Sequence, residues 1–232
     1  MKVRVLWVVH LSVIATMLSR RVDATPSACG DPSLSGAVRL ACRLTSDDNK
    51  KDEARIALFR LGRPGIRSLE AVLRGNGDPI VRDAALFALQ QLALTTRLLK
   101  QVAARPDRAE VERATPVLAE LARLEPAITA GLVAAVPTLT LALDADDLRR
   151  NAAQTLGMLA ASAVSAIPAL IKAGASKDPT VRMSVAIALG EIAKGGDDKG
   201  VRQQLEHMTS DTDAEVRARA TNALAMMKTS PR

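Results

Sequence analysis

The sequence predicts an all-α protein, an α-solenoid of about six stacked helix-turn-helix units, and three observations carry that expectation. A motif recurs: DPIVRDAALFALQQLA from Asp78, DPTVRMSVAIALGEIA from Asp178 and DAEVRARATNALAMMK from Asp213 place Asp, Val-Arg and Ala-Leu at the same offsets. Each copy is amphipathic at helical spacing. Val181, Val185, Ala188, Leu189 and Ile192 fall at i, i+4, i+7, i+8 and i+11, one apolar stripe at a 3.6-residue period. The same stripe is Val81, Ala85, Ala88, Leu89 and Leu92, and again Val216, Ala220, Ala223, Leu224 and Met227. Finally, 48% of the residues are hydrophobic but only 1% aromatic, so the core must be built from Ala, Leu, Val, Ile and Met. Small apolar side chains suit closely packed helices, and Ala and Leu are strong helix formers. No strand-like alternation of any length interrupts the chain.

Residues 1–24 read as a secretory signal peptide. Lys2 and Arg4 precede an apolar run over 5–18, and Val22-Asp23-Ala24 offers a cleavage site after Ala24. The run is short for a bilayer span; the competing reading is an uncleaved membrane anchor followed by Arg20 and Arg21. A lipoprotein signal fits poorly, because Pro26-Ser27-Ala28 precedes Cys29. Cleavage leaves 28 Lys+Arg against 24 Asp+Glu, a net +4 spread along the chain. A nucleic-acid binder is expected to cluster its basic residues instead. Export places the protein in the periplasm or outside the cell, where Cys29 and Cys42 are expected to pair as a disulfide rather than remain two thiols in a small core. Closing so short a loop stabilises by roughly 3 kcal/mol in the chain-entropy account. The remaining divisions are a lead segment 25–35, a repeat domain 36–228 and a polar tail 229–232.

Within the repeat domain, Asp178 stands where a carboxylate can accept from free helix N–H groups, and Pro179 suits the first turn. A shorter apolar segment precedes each motif helix: AIPALIKAG (166–174), AVPTLTLAL (135–143) and GIRSLEAVL (65–73). Six copies can be aligned, with Lys50, Val81, Val111, Leu148, Val181 and Val216 at the Val position. Their steps of 31, 30, 37, 33 and 35 residues suit helical repeats, the longest coinciding with an insertion around 125–133. A lone helix pair cannot bury its stripe, whereas stacked copies bury one another's. Lys50-Lys51-Asp52-Glu53 fits an N-terminal cap, and Met226-Met227-Lys228 closes the last unit.

The pairing of A-[IV]-P-x-L with D-x-x-V-R-x-x-A-x-x-A-L-G resembles HEAT repeats, specifically the short bacterial kind also found in phycobilin-lyase-like proteins, over about residues 36–228. LRRNAAQTLGMLA (148–160) matches well. In the units around Lys50 and Val111 the motif arginine is replaced by Lys51 and Glu112, and Pro116 interrupts the second. The resemblance implies a right-handed curved superhelix whose second helices tend to line the concave face.

Candidates for chemistry are few. His207 is the only histidine after residue 24, so no His pair can hold a metal, and no HExxH, G-x-S-x-G or phosphate-loop signature occurs. GGDDKG (195–200) joins two helices without a preceding strand and reads as a loop. The acidic pairs and clusters at 47–48, 144–147, 197–198 and 211–213 lack EF-hand spacing and lie where helices need capping. Neither a catalytic residue nor a cofactor or metal site is expected. The remaining candidate is a row of arginines at one repeat position, Arg82, Arg149, Arg182 and Arg217, interrupted by Glu112. Guanidinium forks match carboxylates, so the row reads either as an anion-binding surface or as part of the stacking.

The function expected is therefore non-enzymatic: an exported scaffold or adaptor that binds a macromolecule, most plausibly an envelope protein, through an extended helical surface. Contact with a membrane is expected only if the signal is retained. The resemblance implies an alternative, an accessory or lyase-like protein acting on a tetrapyrrole or modified protein substrate. The dearth of aromatic residues to stack on a chromophore argues against it, as does the export signal. One consequence is directly measurable. Trp7 is the only tryptophan and there is no tyrosine, so the cleaved protein is expected to have almost no absorbance at 280 nm. A strong band would show that the segment is retained.

Overall fold

The computed structural model describes residues 26–45, 50–75, 77–105 and 116–228. The signal segment, the tail 229–232 and the unit centred on Val111 lie outside them. Among the described residues the chain is helical throughout, with short connections. In order the helices are α1 (Pro26–Cys29), α2 (Gly36–Thr45), α3 (Lys51–Arg74), α4 (Pro79–Ala103), α5 (Pro116–Ala134) and α6 (Val136–Ala142). Then follow α7 (Arg149–Leu159), a 3-10 turn (Ala160–Ala166), α8 (Ile167–Ala173), α9 (Pro179–Ile192), α10 (Lys199–Met208) and α11 (Ala214–Lys228).

Their contacts sort them into two layers. α2, α4, α7, α9 and α11 pack each on the next, forming the layer of second helices. The part of α3 after its break at Gly62, the α5–α6 pair, α8 and α10 form the layer of first helices, with the 3-10 turn linking α6 to α8. The core runs along the seam between the layers. Leu89, Leu156, Val185, Leu189 and Ala220 from the second layer are wholly buried, as are Leu69, Leu139, Leu170 and Leu205 from the first. Burying each of the larger side chains contributes about 1.5–3 kcal/mol. The expected all-α solenoid is thus what the chain forms. The apolar stretch 149–173 has the length and composition of a bilayer span. Its backbone breaks at Ala160, where φ is 49°, and it divides between α7 in one layer and α8 in the other.

Two features of the stack go beyond the sequence reading. α3 is two helices joined at Gly62, where φ is 62°. Lys50 takes the N-cap place of the first of them, with Ala54 and Leu58 buried four and eight residues on. Val38-Arg39 in α2 carries a further copy of the motif, and α2 packs on α4. Ser35 takes the capping place of the usual Asp, its Oγ accepting from Val38 N at 3.4 Å. Within the lead segment 25–35 the single turn α1 is tied to α2 by the Cys29–Cys42 disulfide.

The second feature is the spacing between layers. α4 packs directly on α7, although 67 residues separate Val81 from Leu148. The intervening chain inserts no further second helix among the described residues. α4 instead continues for 25 residues, and α5 runs beside α3, with Arg60 paired to Glu120 and Ile66 against Gly131. The overhang of α4 carries Arg97 past α7 to Glu191 on α9, at 3.1 Å.

Close approach within the second layer depends on glycine. A Cβ on Gly157 would lie 2.9 Å from Ala188 Cα, and one on Gly190 would lie 2.5 Å from Ala223 Cβ and 2.9 Å from its Cα. Both glycines follow the motif leucine, so α7, α9 and α11 touch nearly backbone to backbone. The equivalent residue of α4 is Gln90, and the α4–α7 contact is polar. Gln90 Nε2 donates to Gln154 Oε1 at 2.8 Å, Gln154 Nε2 donates to Ser184 Oγ at 3.2 Å, and Ser184 Oγ donates to Thr180 O at 2.9 Å. Gln90 and Ser184 are buried and need these partners.

Gly190→Ala is expected to lower unfolding free energy by about 1–3 kcal/mol, because overpacking against a neighbouring backbone outweighs the helix propensity gained. Chemical denaturation checks this. A neutral or stabilising result would mean that α9 and α11 do not approach so closely.

Candidate functional site

The four arginines read as a row lie at the N-terminal ends of successive second helices, and the fold adds Arg39 as a fifth. Four of the five share a local geometry; Arg82 differs, its Nε buried without a hydrogen-bond partner among the described residues. The motif turn exposes carbonyls just before the helix, and the arginine one turn in folds back onto them. Arg149 donates to Leu143 O at 2.6 Å and Asp144 O at 3.1 Å. Arg182 Nη1 donates to Ser176 O at 3.0 Å and Lys177 O at 3.1 Å, and Arg217 Nη1 to Asp211 O at 2.8 Å and Thr212 O at 3.1 Å. These acceptors stand six and five residues before each arginine. Arg39 makes the corresponding bonds to Leu34 O at 2.6 Å and Pro32 O at 3.3 Å. It was missed in the sequence because its capping residue is Ser35 and the nearest aspartate, Asp31, is displaced; the signal was Val-Arg followed by Ala and Cys in GAVRLAC.

Carboxylates occupy the outer edges of three of these forks. Arg182 is bidentate on Asp211, both contacts 2.7 Å and both side chains largely buried. Asp211 joins two units, since its carboxylate takes Arg182 while its carbonyl takes Arg217. Arg149 pairs with Asp146 at 2.7 Å within its own turn. Arg82 reaches Asp147 of the next unit at 4.0 Å. Beside that pair, Asn151 donates to Asp83 at 3.0 Å, and burial pushes the Asp83 carboxyl up from its ordinary value. Glu112, expected to interrupt the row, lies outside the described residues.

The other polar candidates are placed at helix ends. Asp78, Asp178, Asp198 and Asp213 accept from the first free N–H groups of α4, α9, α10 and α11. GGDDKG is a connection in which Gly195 takes φ 75° and Asp197 pairs with Arg202. His207 is exposed in the last turn of α10. Among the described residues no group of three His, Cys, Asp or Glu converges as a metal site.

A different surface lies along the second layer, on stripes at i, i+4 and i+8. It holds the half-buried Asp83 and Phe87 on α4, Arg150, Gln154 and Met158 on α7, and Met183 and Glu191 on α9, with Ile187 exposed; Gln91, next along α4, is buried. Ile187 is 40% exposed. The buried motif positions repeat from unit to unit, whereas these outward positions change character at every step.

The Arg182 fork holds the Asp211 carboxyl down to about 2, from an ordinary 3.8. A carboxylate with a depressed folded pKa adds stability that is complete above its unfolded value and is lost as pH falls from about 4 through about 2. The shift corresponds to on the order of 2 kcal/mol. Asp211→Asn is therefore expected to be less stable than wild type at neutral pH, with the gap closing toward pH 2. Denaturant midpoints across that range check it; a gap independent of pH would mean the ion pair contributes little.

Residues 136–225 match the model of the family described as HEAT repeats. Among curated proteins none matches the chain. Among solved structures it is similar to an engineered protein at 21% identity, with 84% of this chain and 97% of that one covered and a TM-score of 0.42. It is also similar to a designed armadillo repeat protein at 16% identity, with 83% and 100% covered and a TM-score of 0.38. A designed armadillo repeat protein in complex with the peptide (KR)4 is 15% identical, with 84% and 100% covered and a TM-score of 0.38. The matched segment holds α6 to α10 and most of α11, with the arginines Arg149, Arg182 and Arg217 at their shared position. Over that segment the chain carries HEAT repeats.

Proposed function

We propose that the chain is an exported, non-enzymatic scaffold that binds a protein of the cell envelope through the outward face of its second helices. The observation that carries this reading is the contrast between repeated buried positions and varied, partly exposed ones. A stack that served only to fill space has no use for the half-buried Phe87 and the exposed Ile187 at equivalent places, whereas recognition of an unlike partner does. The arginine row belongs to the stacking in this account, since turn carbonyls fill the forks of Arg149, Arg182 and Arg217. Export is supported by the signal-like N-terminus and by the Cys29–Cys42 disulfide, a bond favoured in oxidising compartments. With no exposed Trp or Tyr to act as anchors, affinity is expected to be assembled from several small contributions.

The test is recovery from an envelope fraction with the cleaved chain as bait. Met183→Glu with Ile187→Glu is expected to abolish capture of a partner that wild type retains, while thermal stability stays within a few degrees of wild type. Arg182→Ala is expected to lower stability more than capture. Equal recovery by wild type and the Met183/Ile187 variant would remove this face from the account.

A further inference from the structure

We propose that the join between α3 and α5, in the opposite layer, is a docking notch for a carboxylate-bearing apolar segment of a partner protein. This goes beyond the scaffold reading and does not depend on the second-helix face. α3 and α5 lie side by side here because of Gly131. A Cβ at that position would lie 2.6 Å from Ile66 Cδ1 and 3.3 Å from Arg63 Cγ, so glycine both allows the contact and leaves a hollow above it. The hollow measures about 190 Å³. Its floor is Ile66, Ala130, Gly131 and Ala134, and Arg63 and Arg67 stand over it one helical turn apart.

The electrostatics single out these two guanidiniums. Along α3, Arg55 is paired with Asp52, Arg60 with Glu120 and Arg74 with Glu70. Arg63 has only a long bond to Ala127 O at 3.4 Å, and among the described residues no carboxylate pairs with Arg63 or Arg67. Glu70 lines one end of the hollow, but its charge is committed to Arg74 at 2.7 Å and to Thr138 at 2.8 Å. Two exposed forks over an apolar floor suit a carboxylate, which accepts bidentate bonds, carried on an apolar stem.

The apolar floor favours a peptide over a free anion, and Leu61 and Val133, 41% and 38% exposed, adjoin the lining residues Arg63 and Ala134 along the chain. An inorganic ion gains nothing from them, whereas a segment that mixes Glu or Asp with Leu or Val buries them.

Fluorescence anisotropy of the whole cleaved chain tests the proposal. The probe is a labelled peptide of Glu, Leu and Ala; controls are the same peptide with Gln for Glu, and inorganic phosphate as competitor. The acidic peptide is expected to bind at low salt, and Arg63→Gln with Arg67→Gln to weaken it roughly tenfold or more, the worth of a charge-assisted bidentate contact. Ala130→Glu, which supplies the notch with a carboxylate of its own, is expected to weaken it as well while leaving the helical content unchanged. Failure of the acidic peptide to bind wild type, equal binding by the arginine variant, or displacement by phosphate as effective as by unlabelled acidic peptide would each overturn the proposal. None of these outcomes bears on the Met183/Ile187 face.

Discussion

The structure depends on the approach of one second helix to the next. Each of these helices is short and carries an apolar stripe with nothing in its own hairpin large enough to cover it. Its cover is the neighbour, and the neighbour must come close because the side chains available are small. Gly157 and Gly190 remove the last obstacle, so that α7, α9 and α11 meet across Ala188 and Ala223 with little between their backbones. The near absence of aromatic residues follows from the same constraint. A ring at Ala188 or Ala223 would hold the helices apart.

Where that spacing rule is relaxed, the fold departs from regular repetition. Gln90 stands in the glycine position of α4, and the contact with α7 becomes a chain of amide and hydroxyl hydrogen bonds. At the same step α4 overruns its peers and reaches Glu191 through Arg97, and α5 lies against α3. Among the described residues no second helix stands between α4 and α7, and the stack passes from the Asp78 unit directly to α7. The features that are not repeated, including the unneutralised Arg63 and Arg67, gather around this irregular step. That placement is a physical reason to look for function there as well as on the regular face.

Much of this was legible in the sequence because the strong copies carry their reasons with them. Asp178 and Asp213 cap helices through the expected N–H groups, the Val and Leu positions are buried, and the cysteines pair. Less was legible where one residue type replaced another in the same job. Ser35 caps α2 in place of aspartate, so Val38-Arg39 was passed over. The length of α4 was hidden because no Pro or Gly marks a stop near Leu92, and the alanines and leucines that follow continue a helix readily. The arginine row was legible as a pattern, but its two readings differ only in where the forks point, and the carbonyls they meet belong to turns whose shape a sequence does not display.

The claim on which all of this rests is the near contact of successive second helices, and nuclear Overhauser contacts in a sample with labelled alanine methyls measure it most directly. The account predicts strong cross-peaks from the Gly157 α-protons to the Ala188 methyl, and from the Gly190 α-protons to the Ala223 methyl. Their absence from an otherwise well-dispersed spectrum would contradict it.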